Sequence, residues 1–323
     1  MAGETTTSSL SVDQTAFDRI AYFALRSELL FDQAADVMPT AQSMPGSAVT
    51  FTIFSDLAPA TSTLNEVTDV TPVALSDSQV TVTLAEYGNA VVTTAKLRGT
   101  SFLDVDSAAA NIVGYNAGDS IDRVVRDVLA AGSNVSYATG GASTPTSRAT
   151  VTAADVLTAS DVRKEVARLR AANVATFNGT YMSFIHPDVS YDFRSETDAA
   201  GWRTPANYVN PAGIYNGEIG QFESVRFIET PRGPVFANAS DGSGSTGTID
   251  VYGTLIMGRQ ALAKAHSITD GNGATPKIVR GNVTDLLMRL QPLGWYWLGG
   301  YGRFREASLR RIESGSSIGA NAA

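Results

Sequence analysis

Cysteine is absent from this chain of 323 residues, which excludes disulfides, thiol catalysis and zinc bound by cysteine. Charge is scarce as well, because charged residues make up 17% of the chain against about 25% in an average soluble domain. We infer that partner chains cover part of its surface. Long apolar runs are also missing. None approaches the roughly 18 residues that span a membrane, so we predict no membrane contact.

Basic residues are outnumbered, with 24 Lys and Arg against 32 Asp and Glu and a net charge of −8. Affinity for the phosphate backbone comes from Lys and Arg, so we expect no bulk attraction to nucleic acid. Lysine is rarest, with only Lys96, Lys164, Lys264 and Lys277. The remaining basic residues are arginines, which suit planar, partly buried ion pairs between proteins.

Apolar spacing of three and four residues predicts helices in "QTAFDRIAYFALRSELLFDQAADV" and "GDSIDRVVRDVLAAG". A third helix is predicted after Thr158 and Asp161, which resemble a capping box. Two-residue alternation predicts strands in "AVTFTIFSDL" and "QVTVTLAEYGNAVVTT", and more strands in "GTYMSFIHPD", "SVRFIET", "TPRGPVF", "GSTGTIDVYGTLIMG" and near the C-terminus. No repeated βαβ unit is present, so a doubly wound sheet is disfavoured and we predict an α+β fold.

The first two strands are separated by "APATSTLNEVTDVTPVALSDS", which is too long for a tight hairpin and has few bulky apolar residues. A two-stranded arm is marginally stable in water by itself. We therefore predict that this arm has no adequate site on its own chain and lies across a neighbouring subunit.

His186 and Asp188 are the obvious catalytic candidates, because a histidine beside a carboxylate acts as a general base. Residues two apart on an irregular turn do not readily form a His–Asp hydrogen bond. No Gly-x-Ser-x-Gly motif supplies a nucleophile. Pro187 and Asp188 are also ordinary start signals for a helix in "PDVSYDFRSE", so we favour a structural role in a loop or helix cap.

Three other patterns resemble ligand sites. His266 is the only other histidine, and two histidines 80 positions apart make a poor metal site. The loop that begins at Asp241 departs from a calcium loop at two required positions, so a mobile hairpin tip is favoured. Asp104 and Asp106 have no phosphate-binding glycine-rich loop nearby, so solvated residues near a helix start are favoured.

Aromatic and arginine clusters lie near the C-terminus. The aromatic residues are favoured as core or interface anchors over a ligand-stacking platform; they are Trp295, Tyr296, Trp297, Tyr301 and Phe304. Because the chain is acidic, the arginines are favoured to pair with acidic groups of a neighbouring subunit rather than with DNA; they are Arg303, Arg305, Arg310 and Arg311.

The order of these parts resembles the major capsid protein of tailed bacteriophages, which has the Hong Kong 97-like fold. "VTLAEYGNAVVTT" resembles the segment leaving the family's extended loop, and "YMSFIHPDVSYDF" its strand-to-helix step in the axial domain. "GEIGQFESVRFIET" resembles the turn and strand that follow, and "PLGWYWLGGYGRFREASLRRIES" the closing strands. The likeness spans most of the chain, from about Ser11 to Ser314.

The resemblance implies five parts of an α+β fold. They are an N-terminal arm (1–46), an extended β-hairpin loop (47–96), a peripheral domain with the spine helix (97–151), a mixed α/β axial domain (152–276) and C-terminal strands that return to the peripheral domain (277–323).

The resemblance also implies a function. The chain would self-assemble as hexamers and pentamers into the icosahedral head shell that encloses viral double-stranded DNA without sequence-specific binding. Its partners would be other copies, a scaffolding protein, the portal and a cement or decoration protein. The shell would be assembled in the host bacterial cytoplasm as a procapsid that matures into the virion. No cofactor, metal or enzymatic activity is expected.

Two departures from the family matter. Some members crosslink neighbours by an isopeptide bond between a Lys of the extended loop and an Asn. Residues 47–94 contain no lysine, so we predict a non-covalent lattice unless Lys96 serves. The helical scaffolding extension of some members is missing, which suggests a separate scaffolding protein or prior cleavage.

No catalytic, cofactor-binding or metal-binding residue is therefore predicted. The predicted contacts between subunits involve Phe51, Ile53, Tyr87, Arg123, Arg126, Arg303, Arg305, Arg310 and Arg311. Three alternatives stay open: an encapsulin-like nanocompartment shell, a hydrolase that uses His186 and Asp188, and a β-rich adhesin or tail protein.

Overall fold

The computed structural model describes residues 31–34, 48–54, 57–61, 63–64, 66–67, 69–101, 105–141, 144–195, 218–266, 275–281, 285–287 and 289–318. Among these residues the α-helices are α1 (Ala95–Thr100), α2 (Val105–Ala130), α3 (Ala159–Ala171) and α4 (Pro187–Ser195). Short 3-10 turns occupy Phe31–Ala34, Arg148–Thr150 and Glu306–Ser308. The first predicted helix lies almost entirely outside the described residues.

The strands of the described part begin with β1 (Ala48–Phe54), β2 (Asp77–Thr83), β3 (Ala85–Thr94) and β4 (Val135–Tyr137). They continue with β5 (Tyr181–Ile185), β6 (Glu218–Phe222), β7 (Val225–Glu229), β8 (Val235–Ser240) and β9 (Ile249–Met257). The last are β10 (Leu262–His266), β11 (Lys277–Arg280), β12 (Leu290–Arg303) and β13 (Leu309–Ser314). The mixture of sheets and single helices confirms the α+β prediction.

Two compact units divide the chain. Of the described residues, the first unit takes those in 88–117 and 277–296, and the second takes those in 27–87, 118–276 and 297–318. Because α2, β3 and β12 each continue from one unit into the other, the chain does not divide into consecutive domains.

The second unit is built on a seven-stranded sheet in the order β4-β13-β9-β5-β7-β6, with β8 also paired to β9. Helices α3 and α4 cover one face. Their apolar side chains form a buried cluster with residues of the sheet; it includes Val162, Val166, Leu169, Val189, Phe193, Tyr181, Ile185, Phe227, Ile256 and Ile312. The cluster is the main core of this unit, because its side chains are almost fully removed from water.

The other face of this sheet carries the C-terminal half of α2. Phe184 alternates with Ile185 along β5 and so points to the opposite face, where its ring lies 4.6 Å from that of Phe31. The Phe31 N–H donates to Asp122 of α2 over 2.9 Å. At the end of α2, a buried arginine of β13, Arg311, donates to the Gly132 carbonyl over 3.0 Å. These contacts hold the 3-10 turn Phe31–Ala34 and α2 on the same side of the sheet.

Helix α2 buries residues at a spacing of four, which are Ala109, Val113, Ala117, Ile121, Val125 and Leu129. Such a spacing keeps side chains on one stripe of a helix. The amphipathic segment predicted at residues 118–132 is confirmed, and the structure extends it back to Val105. Helix α3 begins as predicted, because Thr158 Oγ1 donates to the Asp161 carboxylate over 2.7 Å and accepts the Asp161 N–H over 3.3 Å.

The hairpin of β1 and β2 is antiparallel and runs from the pair Ala48–Thr83 to the pair Phe54–Asp77. Its base is anchored on the same unit, since Phe51 and Val82 are buried with Ala263, Ala265 and Phe304. Gly300 allows this approach, because a Cβ there would collide with the Thr83 carbonyl. The prediction that the arm has no site on its own chain is therefore wrong for its base.

In the first unit, β3 and β11 pair with the first half of β12. Trp295 of β12 donates its indole N–H to Asn116 of α2 over 2.9 Å. The Ala95 N–H at the start of α1 donates to the Arg289 carbonyl over 2.8 Å. Strand β3 therefore leaves the hairpin and joins a different sheet, although the sequence predicted β2 and β3 as one continuous segment of the loop.

The turn between β6 and β7 places Glu223 and Ser224 at φ values of 49° and 66°. Two consecutive left-handed residues make the tight turn that antiparallel strands prefer, but side chains other than glycine are strained there. Helix α3 holds the turn: Arg163 donates to the Glu223 carboxylate and Arg170 to Ser224 Oγ, both over 2.9 Å.

Candidate inter-subunit surfaces

The outer part of the hairpin exposes apolar side chains. Beyond the last strand pair, the described residues 57–76 contain no helix or strand. Their large apolar side chains are all more than half exposed, up to 92% for Val67; they are Leu57, Leu64, Val67, Val70, Val73 and Leu75. An exposed apolar segment of this kind marks a contact surface. The loop is thus anchored at its base and unsupported by its own chain further out.

The charge of the loop has one sign. Residues 47–94 contain five acidic residues, Asp56, Glu66, Asp69, Asp77 and Glu86, and no lysine or arginine. Charge of one sign on an apolar surface favours a partner surface of the opposite sign.

The first unit has the complementary character. Its exposed apolar side chains lie on β3, α1, α2, β11, the segment before β12 and the first residue of β12; they are Val91, Val92, Leu97, Ile112, Ile278, Val279, Leu286, Leu287 and Leu290. Its described residues carry five basic side chains, those of Lys96, Arg98, Lys277, Arg280 and Arg289, against the two acidic side chains of Asp106 and Asp285. Every residue of β11 is exposed. As far as the structure describes it, this surface combines apolar contact area with net positive charge.

The three predicted interface residues of the loop lie near its base. Phe51 is buried and makes an edge-to-face contact with Phe304 at 5.8 Å. Ile53 is partly buried against the same cluster. Tyr87 stacks on Trp297 at 5.9 Å. Their use between subunits stays a prediction, which the burial of Phe51 does not favour.

The two predicted arginines of α2 form local ion pairs. Arg123 donates to Asp119 one turn earlier over 3.1 Å and keeps 64% of its side chain exposed. Arg126 donates to Asp127 over 2.7 Å. Exposed pairs contribute little to stability, so the Arg123 side chain is available for contacts with a partner, whereas Arg126 is partly buried.

The C-terminal arginines bind acceptors of their own chain. Arg303 donates to the Val128 carbonyl of α2 over 3.1 Å, and Arg305 to the Ala172 carbonyl of α3 over 2.9 Å. Arg310 lies 4.0 Å from the buried Glu165 carboxylate. Cations beside the last carbonyls of a helix stabilise its C-terminal end. The structural role found here differs from the predicted pairing with a neighbour, which stays a prediction that these contacts do not favour.

Arg311 is the most buried of this group. It donates to the carbonyls of Ala130 and Gly132 at the end of α2 and to the buried Glu313 carboxylate, over 2.9 Å for Glu313. Arg148 donates to the same carboxylate over 2.6 Å. Burial lowers the pKa of the Arg311 guanidinium, and the Glu313 charge counteracts this shift. Because Arg311 is enclosed by its own chain, it is a structural residue of the fold.

His186 and Asp188 lie together at the start of α4. The Asp188 N–H donates to His186 Nδ1 over 3.3 Å, and Asp188 Oδ2 lies 3.5 Å from the same nitrogen. The hydroxyl of Tyr252 donates to this carboxylate over 2.9 Å. His186 thus lies at the cap position of α4, which fits the structural role favoured from the sequence. The two residues approach more closely than the sequence predicted.

The loop that begins at Asp241 is folded around its own carboxylate. Asp241 Oδ1 accepts the N–H groups of Ser243, Gly244 and Ser245 over 2.7, 3.1 and 3.0 Å, and Oδ2 accepts the Ser243 hydroxyl over 2.7 Å. These hydrogen bonds lower the pKa of Asp241 to about 2. Within the described residues, no group of three or more His, Cys, Asp or Glu side chains is suited to a metal ion. The carboxylate therefore organises a turn.

Four of the five residues of the aromatic cluster lie in the core, which was one of the two favoured interpretations, and Tyr296 is partly buried. Trp295, Trp297, Tyr301 and Phe304 are buried.

Sequence reasoning missed the polar network beside these aromatic residues. Lys264, buried on β10, donates to both carboxylate oxygens of Asp32 over 2.9 Å. The Tyr301 hydroxyl donates to the same carboxylate over 2.7 Å, and burial and the Asp32 charge raise the pKa of Tyr301.

A family model described as "Phage capsid protein" matches residues 6–318. The chain belongs to this family. The family and fold predicted from the sequence are thereby confirmed, and so is the function of a shell-forming major capsid protein. No curated protein sequence is similar enough to count as a match.

Solved phage capsids share the fold of this capsid protein. The capsid of Ralstonia phage GP4 has a TM-score of 0.75 and 14% identity, covering 95% of this chain and 96% of its own. The cyanophage Pam1 capsid has a TM-score of 0.73 and 16% identity, covering 99% and 100%. The capsid of cyanophage P-SCSP1u has a TM-score of 0.70 and 15% identity, covering 95% and 94%. At these identities the likeness is one of fold.

A capsid protein acts through its surfaces, so the acidic apolar loop and the basic apolar surface of the first unit are its candidate functional sites. As part of a shell it belongs to the virion. No helix in the described part of the capsid protein is long and apolar enough to span a bilayer.

Proposed function

We propose that this capsid protein builds an icosahedral head shell of hexamers and pentamers around double-stranded DNA, held together without covalent crosslinks. The observation that carries the proposal is the loop of residues 57–76, which exposes apolar side chains beyond a base that is anchored on its own chain. Burying that apolar area on another copy supplies free energy that the isolated subunit does not gain. Assembly follows from many such contacts in a closed lattice.

The first unit of another copy is the proposed site for this loop. Its described residues offer exposed apolar side chains together with an excess of basic side chains, whose charge is complementary to that of the acidic loop. Burial provides the free energy of the contact, and opposite charge selects the register and speeds association. A scaffolding protein, a portal and a cement protein are the further partners, and assembly takes place in the host cytoplasm.

The acidic balance of the chain, with a net charge of −8, fits a container. Polyanionic DNA is repelled by an acidic wall, and release of a packaged genome requires that it does not adhere strongly. The encapsulin-like alternative predicts an enclosed cargo protein instead, so the contents of particles purified from their natural source distinguish the two.

The proposal is tested by deleting residues 57–76. Because these residues lie beyond the strand pair Phe54–Asp77, we expect a soluble, folded subunit by circular dichroism that forms no stable shells by electron microscopy. Normal particles from the deletion would contradict the proposed contact.

A charge exchange tests the pairing of the two surfaces. Glu66→Lys with Asp69→Lys should weaken assembly, and Lys277→Glu with Arg280→Glu should do the same. The four changes together should restore part of the lost assembly, measured as the fraction of subunit in particles by sedimentation. Arg123→Glu with Arg126→Glu in the loop variant is the matched control and should restore none. Equal recovery in the control would reject the proposed partner surface.

A further inference from the structure

His186 is the N-terminal cap of α4. The Ser190 N–H donates to the His186 carbonyl over 2.9 Å, which is the first hydrogen bond of the helix. His186 Nδ1 accepts the Asp188 N–H over 3.3 Å, so an imidazole serves one of the N–H groups that a helix start leaves unpaired. Pro187 at the first helical position restricts His186 to the extended backbone that a cap needs.

Titratable groups face the imidazole from three elements. Asp188 of α4 places Oδ2 3.5 Å from Nδ1. Tyr252 of β9 has its ring 4.9 Å from the imidazole and donates its hydroxyl to Asp188 over 2.9 Å. Glu229, at the end of β7, adds a second negative charge. Arg232, in the turn after β7, is directed instead to two aspartates of α2.

The hydrogen bond from the Asp188 N–H requires a lone pair on Nδ1, so the neutral imidazole carries its proton on Nε2. Burial lowers the pKa of His186, with Asp188 and Glu229 acting in the opposite direction. A second proton occupies Nδ1, which then no longer accepts the Asp188 N–H and donates to the Asp188 carboxylate instead. At acid pH the Asp188 N–H therefore loses its acceptor and faces a protonated Nδ1, which repels it.

Helix α4 in turn holds the C-terminal segment Ser316–Ile318. Asp192 accepts the Ser316 hydroxyl over 2.9 Å and the Ser317 N–H over 2.8 Å. The Ser316 hydroxyl also lies 3.3 Å from the Asp188 carbonyl in the first turn of the helix. Fraying of that first turn removes part of the support of the segment.

We propose that His186 is a pH-sensitive latch: its neutral imidazole fixes the start of α4 at neutral pH, and its protonation loosens α4 and the segment Ser316–Ile318. Folding lowers the pKa below the ordinary value of about 6.5. At pH values above about 6.5, His186 is neutral in both the locally opened and the closed state. As the pH falls below about 6.5, His186 is protonated first in the opened state. Opening therefore becomes more favourable until the pH passes the lower pKa of the folded state.

Hydrogen exchange of assembled particles at pH 7.5 and pH 5.0, corrected for intrinsic exchange rates, tests the latch. We expect wild-type peptides covering 187–195 and 313–318 to lose protection at pH 5.0, about tenfold for each unit by which folding lowers the pKa. His186→Asn keeps a cap acceptor that does not titrate and should abolish the change. His266→Asn, the matched control, should keep it. An unchanged response in His186→Asn, or none in the wild type, overturns the proposal.

A second measurement does not depend on any variant. Deuterium exchange of imidazole C2 hydrogens, followed by mass spectrometry across the pH range, gives separate titration curves for the two histidines in wild-type particles. We expect the His186 pKa to lie below about 6.5. A value at or above it rejects the latch even if His186→Asn fails to assemble.

Discussion

At the scale of single residues, two arginines with the same charge should contribute very differently to the stability of the subunit. Arg311 is enclosed and donates to two carbonyls at the end of α2 and to Glu313, whereas Arg123 is exposed and paired with Asp119 one turn away. Arg311→Met keeps much of the side-chain volume but removes the donor to the two carbonyls at the end of α2 and leaves Glu313 with Arg148 alone. We expect the free energy of unfolding of the unassembled subunit to fall by about 2–3 kcal/mol, measured by urea titration.

Arg123→Met is the matched control, because it removes the same group from an exposed pair. The expected loss is below about 0.5 kcal/mol. Comparable losses in the two variants would show that burial and helix capping do not distinguish these arginines.

At the scale of secondary-structure elements, the acidic side chain of Asp32 joins the 3-10 turn Phe31–Ala34 to β10 and β12, in addition to the contacts of Phe31. Asp32 is the acceptor for both the buried Lys264 and the Tyr301 hydroxyl. Asp32→Ala leaves a buried ammonium group without its carboxylate, and we expect the free energy of unfolding to fall by about 3 kcal/mol in the same urea titration.

A double-mutant cycle separates this ion pair from general damage. Lys264→Met removes the buried charge, so Asp32→Ala should cost less in that background, with a coupling energy of about 1–3 kcal/mol. Additive losses would mean that Lys264 does not depend on Asp32, and that Asp32 holds the turn through Tyr301 instead.

Local patterns predicted individual elements well. The alternation of Val80 and Val82 predicted β2, and Thr158 with Asp161 predicted the start of α3, because these signals lie within a few residues of one another. The pairing of β3 with β12 was not predictable, since the same alternation suits either partner. The Asp32–Lys264 pair was missed for a similar reason: it joins positions 232 residues apart, and no local pattern specifies such a distance.

The candidate surfaces were predicted in part. The length and the weak apolar content of the segment between β1 and β2 indicated a loop that needs a partner, and its outer residues are exposed as expected. The anchored base was missed, because Phe51 contacts Phe304, which is far away in the sequence. The C-terminal arginines were assigned to partners on composition, but the carbonyls they bind belong to helix ends that only the fold brings near.

At the scale of the whole molecule, the lattice should be dismantled by denaturant alone. Residues 47–94 contain no lysine, so this part of the loop has no amine to form an amide bond with a neighbour. We expect mature particles boiled in detergent to give a single-chain band on denaturing gels. A ladder of multimers would contradict this expectation, and Lys96, at the end of the loop, would then be the amine to test. Lys96→Arg keeps the charge and removes the nucleophile, so loss of the ladder in that variant would identify the crosslink.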